Sequence, residues 1–420
     1  MTDFFEFVKS AKTPYHTVDE IKKILTSEGY TELSERSTDF SDGKPHFVVR
    51  DGSSIIAFRG KTESAGFVIT ASHSDTPTFK VKSTDLGTYA RLSVEKYGGM
   101  ICYTWLDRPL SVAGRVSLRM SDGIAVKTVD INKNVCSIPS VAIHFNRGVN
   151  DGYKFNPAVD MLPLFSTDVN TDINSLVAEA LGVEKEDILA SDLYLYNREE
   201  PKLFGAHDEL ILSPRIDDIA CVYTSLKAFL SAEQSDAVAV LAVFNNEEVG
   251  SETKQGANST FLDNTLYRIA GSRERYLSML ADSFMVSADN AHAKHPNHPE
   301  LSDQKNAPVL GEGVVIKHNA NQRYTTDGVS EALFRIICER AAVPVQDFYN
   351  RADIVGGSTL GSISNTKVSV ATVDIGIPQL AMHSANETAH TADIESMTKA
   401  LTELYSSVFS FNGAEIKVVK

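Results

Sequence analysis

Two adjacent carboxylates, Glu247 and Glu248, follow the apolar run AVAVLAVF over 237–244. A short, valine-rich run of this kind reads as a buried strand, so the pair at its end sits where charge is expensive unless chemistry uses it. One carboxylate of such a pair can bind a metal while its neighbour moves a proton, which makes two parts of a hydrolytic site. Three more apolar runs end in ligand-type residues. Residues 66–71 lead into Ser72-His73-Ser74-Asp75-Thr76-Pro77, residues 284–288 into Asp289-Asn290-Ala291-His292, and residues 368–375 into a loop that reaches His383. A further carboxylate, Asp217, opens a segment with Ile219, Tyr223, Leu226 and Leu230 at helical spacing.

Each of these residues has an ordinary reading when taken alone. His73-x-Asp75 fits a turn, Asp217 and Asp289 fit caps, and His383 fits a core histidine with a satisfied ring. Together, His73, Asp217, Glu248, Asp289 and His383 give two imidazoles and three carboxylates, a set that suits zinc and can also hold manganese or cobalt. Five such ligands suit two divalent ions sharing a carboxylate about 3.5–4 Å apart. Asp217 is the expected bridge and Glu247 the expected general base, taking a proton from water and delivering it to a departing amine. Asp75 is expected to hydrogen-bond the second nitrogen of His73. The string His292-Ala-Lys-His295-Pro-Asn-His298 imitates a metal cluster, but Pro296 and Pro299 break any helix that would align the rings. His292, nearest the strand end, is instead a candidate for contacting substrate.

Ligands so far apart in sequence converge if the strands share one sheet, because sites in open α/β sheets lie beyond the carboxyl ends of the strands. The expected fold class is α/β, a mixed and mostly parallel sheet covered by helices on both faces. Residues 85–205 have a different texture, with alternating stretches at 89–94, 113–120 and 124–129 separated by turn residues. They predict an inserted β-rich domain, so the catalytic domain would comprise 1–84 and 206–420. Near the start, Thr17-Val18-Asp19-Glu20 fits a capping box, with Gly29 where that helix would stop.

The 420 residues carry a formal net charge of -15, with no Lys/Arg-rich run. That balance disfavours nucleic-acid and anionic-membrane partners. The four cysteines are widely spaced with no CxxC, which argues against a disulfide framework or a thiolate zinc site. With no signal-like N-terminus and no apolar stretch of membrane-spanning length, a soluble cytoplasmic protein is expected.

The strings ASHSDTPTFKVK (71–82), SPRIDD (213–218), NNEEVGS (245–251), SADNAHAKHPN (287–297), VIKHNANQRY (315–324) and MHSANE (382–387) resemble the aspartyl aminopeptidase family of dizinc metallopeptidases, in order and over nearly the whole chain. The resemblance implies metal binding by His73, Asp217, Glu248, Asp289 and His383, with Glu247 as base and Asp75 behind His73. It implies release of N-terminal residues, Asp or Glu by preference, from peptides with a free N-terminus. It also implies that the inserted domain mediates dimerisation and that dimers build a dodecamer. His144 matches a histidine that this family delivers from a neighbouring subunit to the tetrahedral intermediate; without the resemblance it would end a strand of the insert. Lys317 matches the cation expected to pair with an acidic substrate side chain; without the resemblance it would be a surface lysine. The loop Gly356-Gly357-Ser358-Thr359 departs from the Cys-Gly-Thr-Thr of eukaryotic relatives, which bears on how strict the acidic specificity is.

Overall fold

The computed structural model describes residues 1–61 and 63–420, and they form two compact units. The first comprises Met1–Asp75, Lys202–Met382 and Glu387–Lys420; the second comprises Thr76–Pro201 and His383–Asn386.

The first unit is built on a nine-stranded sheet, in the order Thr31–Leu33, His46–Arg50, Ser54–Arg59, Val238–Phe244, Phe67–His73, Phe284–Ala288, Ala371–Gly376, Val314–His318 and Val345–Tyr349. Its four central strands, from Val238–Phe244 to Ala371–Gly376, run parallel. Their carboxyl ends therefore share one edge of the sheet. Successive side chains of a strand face opposite sides, and the first strand of this set, Val238–Phe244, divides accordingly. Ala239, Leu241 and Val243 join one core, whereas Val238, Val240, Ala242 and Phe244 join the other. The first core packs against helices Thr2–Ser10, Pro14–Ser27, Ile216–Ser231, Gly328–Arg340 and Thr391–Tyr405; the second packs against Phe261–Ala270 and Arg273–Ala281. Burial on both faces is what allows Val238–Phe244 to be apolar at every position.

The second unit has a six-stranded sheet in which every pairing is antiparallel, in the order Gly123–Asp130, Leu110–Met120, Ile188–Asn197, Thr78–Leu86, Ala90–Tyr97 and Leu164–Ser166. Its own core includes Phe79, Leu92, Trp105, Val112 and Leu193. Because Thr78–Leu86 pairs along its length with Ala90–Tyr97, the chain enters this unit before residue 85.

Two local expectations need correction. The first long helix begins at Pro14 behind Thr13, not at a box on Thr17. Proline is favoured at the first helical position because its missing N–H has no partner to lose. Thr17 lies inside the helix, and its hydroxyl donates to the Thr13 carbonyl at 3.1 Å. His144 does not end a strand: it is exposed in a turn closed by the Phe145 N–H donating to the Ala142 carbonyl at 2.9 Å. Among the described residues no helix is long and apolar enough to cross a membrane, and the four cysteines are free.

Candidate active site and metal centre

His73 is the last residue of Phe67–His73, and its neighbours in the sheet deliver Glu247 and Asp289 to the same edge. The chain turns sharply after Phe244. Asn246 takes a left-handed conformation, φ 63°, which asparagine tolerates better than most residues. Its side-chain oxygen accepts from Thr253 Oγ1 at 2.9 Å and Gln255 Nε2 at 2.8 Å. The turn continues as a single helical turn, Glu247–Val249. On the other side, Gly376 lies so close to the Asp289 segment that a Cβ there would meet the Asp289 carbonyl oxygen at 2.3 Å.

The Asp75 carboxylate braces the glutamate pair. It accepts the Glu247 N–H on Oδ1 and the Glu248 N–H on Oδ2, each at 3.1 Å. His73 Nδ1 lies 3.0 Å from the backbone carbonyl of Asp75 and 3.5 Å from its Oδ1. The carbonyl only accepts, so Nδ1 carries the proton and Nε2 faces the acidic groups. From Nε2 it is 3.4 Å to Asp217 Oδ1, 3.8 Å to Asp289 Oδ1, and 4.0 Å to both Asp218 Oδ2 and Glu247 Oε2. His73, Asp217, Asp218 and Asp289 can present ligand atoms mutually within 4.8 Å, as can His73, Glu247 and Glu248.

Asp217 and Asp218 fall in the first turn of Ile216–Ser231 but have non-helical backbone angles, and the peptide between them is cis. The Asp217 N–H donates to Glu387 Oε2 at 3.0 Å. A buried chain of polar groups continues from there. Gln379 donates to the other Glu387 oxygen at 3.4 Å, Asn290 donates to Gln379 at 2.6 Å, and the Cys221 thiol donates to Asn290 Oδ1 at 2.9 Å. Spacing rules had no means of naming Asp218, Cys221, Asn290, Gln379 or Glu387. Asp218 at least stands beside a named ligand candidate, and Glu387 closes the MHSANE string.

The electrostatics follow from burial. The Glu247 carboxyl is pushed up to about 8, mainly by burial and, against the opposing pull of His73, by Asp289, Asp75 and Asp217. Burial also holds Asp218 well above the usual carboxylate range; the favourable field of His73 opposes it, while Asp289 and Asp217 add to it. For His73, burial favours the neutral ring, but Asp218 and then Asp217, Asp289 and Asp75 outweigh it and hold the imidazole well above its ordinary value.

These features fit a divalent cation. Ligand atoms bound to one zinc at about 2.0–2.2 Å stand roughly 3.3–3.6 Å apart, close to the spacing between His73 Nε2 and Asp217. Several buried carboxylates around one imidazole also need positive charge to be tolerated. Elsewhere, His318, Glu331 and Asp347 can also approach one another, but Arg335 bonds both acids and already supplies the cation there.

The remaining candidates are placed as follows. His292 is exposed, with its ring edge-on to Phe348 at 6.1 Å. Lys317 is buried, not on the surface, and its Nζ donates to the Asn290 carbonyl at 3.0 Å. His383 lies in the second unit at φ 68°, where Nδ1 donates to the Gly99 carbonyl at 2.6 Å and its own carbonyl accepts the Ile101 N–H at 3.0 Å. That leaves Nε2 as the acceptor nitrogen of its ring.

Comparison with known proteins carries the site further. The family described as "Aminopeptidase I zinc metalloprotease (M18)" matches residues 7–405. The chain belongs to the M18 aminopeptidases. One M18 relative, the "Probable M18 family aminopeptidase 2" of Clostridium novyi (strain NT), is 40% identical over 423 residues, covering 96% of this chain and 98% of the relative. The structure described as "Cryo-EM structure of the Ape4 and Nbr1 complex" matches with a TM-score of 0.92 at 35% identity, over 96% of this chain and 85% of that one. Another, "Structure of S. cerevesiae mApe1 dodecamer", gives a TM-score of 0.83 at 25% identity, covering 96% and 95%. Like the rest of the M18 family, the chain is a zinc metallo-aminopeptidase.

Proposed function

We propose that this enzyme releases N-terminal residues, acidic ones by preference, from peptides with a free N-terminus, and that its ligand set is His73, Asp217, Glu248, Asp289 and His383, with Asp217 as the bridge. The convergence of His73, Asp217, Glu247 and Asp289 at one sheet edge carries this reading. Two divalent ions, zinc or in its place manganese or cobalt, would supply an activated water and polarise the scissile carbonyl.

The chain's own groups do the rest. Glu247 takes the water's proton and returns it to the leaving amine, a task suited to a carboxyl poised near neutrality. Asp75 holds both glutamates through their backbone N–H groups and gives His73 its tautomer through its own carbonyl. His292 contacts substrate. His144 acts on the tetrahedral intermediate of a neighbouring copy, within a homo-oligomer of dimers that build a dodecamer. The exposure of His144 and the dodecameric assembly of the S. cerevesiae relative support that step.

Acidic preference rests on Lys317, a buried cation that would draw an Asp or Glu side chain. A second reading, broader specificity, is favoured by one observation: Lys317 Nζ already stands 3.4 Å from Asp289 Oδ2. Initial rates on Asp-, Glu-, Ala- and Leu-p-nitroanilides, with N-acetylated peptides as controls, decide between them. Faster turnover of Asp and Glu is expected, with no cleavage of blocked peptides. Faster turnover of Leu or Ala would overturn the acidic preference, and cleavage of blocked peptides would overturn the aminopeptidase mechanism. A strong chelator should silence the enzyme and zinc should restore it.

A further inference from the structure

Lys317 is 2% exposed, one residue from the carboxyl end of a strand of the main sheet, Val314–His318. A buried ammonium has to be paired and hydrogen-bonded, and Asp289, Asn290 and Tyr324 stand around this one. Nζ donates to the Asn290 carbonyl at 3.0 Å, stands 3.4 Å from Asp289 Oδ2, and lies 5.4 Å from the centre of the Tyr324 ring. The two oxygens of Asp289 are thereby divided. Oδ2 faces Lys317, while Oδ1 faces the cluster at 3.8 Å from His73 Nε2. Asn290, whose carbonyl receives the ammonium, is anchored through its side chain by Cys221 and Gln379. The lysine is thus held on the same rigid edge that carries Asp289.

From this arrangement we infer that Lys317 is a positioning residue for the metal centre: it clamps Asp289 Oδ2, which fixes the rotamer that turns Oδ1 toward the cluster, and it offsets the repulsion among the carboxylates. The inference rests on the reading of Asp289 as a ligand. It gives Lys317 a task toward the metal centre in addition to the pairing with an acidic substrate side chain proposed above. A group that orients a metal ligand typically changes metal affinity 10–100-fold when removed.

The test compares wild type with Lys317→Met. Zinc affinity is measured by competition with a chromophoric chelator, and kcat/KM is measured on Asp- and Leu-p-nitroanilide with zinc in excess. The clamp predicts a 10–100-fold loss of zinc affinity and, with zinc in excess, a loss of kcat/KM on the Leu substrate as well as on the Asp substrate. Wild-type zinc affinity combined with a loss confined to the Asp substrate would overturn it and leave Lys317 as a substrate cation. If Lys317→Met does not fold, Lys317→Gln keeps a donor for the Asn290 carbonyl and is judged by the same two readouts. Asp289→Asn serves as the control: unchanged zinc binding there would sink the ligand assignment itself, an outcome separable from failure of the clamp.

Discussion

His73 and His144 are two histidines given catalytic work by one proposal, and their surroundings are opposite. His73 is buried, its tautomer is set by a carbonyl, and five carboxylates lie within 4.0 Å of its ring. His144 is exposed in a turn of the second unit, flanked by Ile143 and by Phe145, which is 88% exposed. The first is a finished site whose geometry the protomer enforces. The second is apolar and solvated at once, the character of a surface that another molecule covers. A residue of the first kind is judged within one chain, whereas one of the second kind needs its assembly.

The strongest way to break the contrast is on the interior side. Glu247→Gln should lower kcat by about 10²–10⁴, the usual worth of a general base, while zinc stoichiometry stays at its wild-type value. Metal analysis alongside single-turnover rates checks this; activity near wild type would remove Glu247 from its role. On the exterior side, His144→Ala should cost about 10²–10³ in kcat, as loss of one donor to a developing oxyanion does. Phe145→Ser should leave thermal unfolding of the protomer within about 0.5 kcal/mol, as exposed substitutions usually do. Light scattering should nevertheless show smaller assemblies. An unchanged assembly would mean that the exposed loop is not covered by a second copy.

The same contrast governs what was readable in the sequence. The strand ends at His73, Phe244 and Ala288 stood out because strands buried on both faces are mostly apolar, so a cluster of charged and ligand-type residues after such a run marks the edge of the sheet. The second unit showed itself through alternation and turn residues, but its boundary at Thr76 was hidden because Thr78–Leu86 follows directly from the His73 loop. The start of the first helix was misplaced because two signals competed, and Pro14 at the first helical position prevailed over the Thr17 box. Lys317 without a family match reads as a surface cation, since its partners come from the 289–290 segment and from Tyr324, which no local pattern connects. Asp75 illustrates a subtler limit. Its place beside His73 was legible, but its two bonds to the backbone of the glutamate turn were not.

Those bonds give the next prediction. An asparagine at position 75 presents one acceptor and one donor where two N–H groups need acceptors, so Asp75→Asn should loosen the Glu247-Glu248 turn. Zinc affinity should fall about 10–100-fold, the range typical of residues that orient ligands. Calorimetric titration of the metal-free protein measures it, and an affinity equal to wild type would mean that the turn holds itself.

Asp393 provides a contrasting case, a buried carboxylate that also takes two backbone N–H groups, from Gly311 at 2.7 Å and Gly313 at 2.9 Å. Burial pushes its carboxyl up to about 7 despite those two bonds, with Glu312 adding to the rise. The folded protein therefore holds a proton there over a range in which the unfolded chain, at about 3.9, has released it. Stability from this group is greatest below about pH 4, declines as pH rises through about 7, and levels off beyond, by a few kcal/mol at most. Asp393→Asn removes the titration. The stability of wild type minus variant, from urea unfolding of metal-free protein between pH 4 and 8, should therefore fall with rising pH. A flat difference would show that the two amide bonds offset burial, and would place Asp393 alongside Asp75 as an anion the backbone holds.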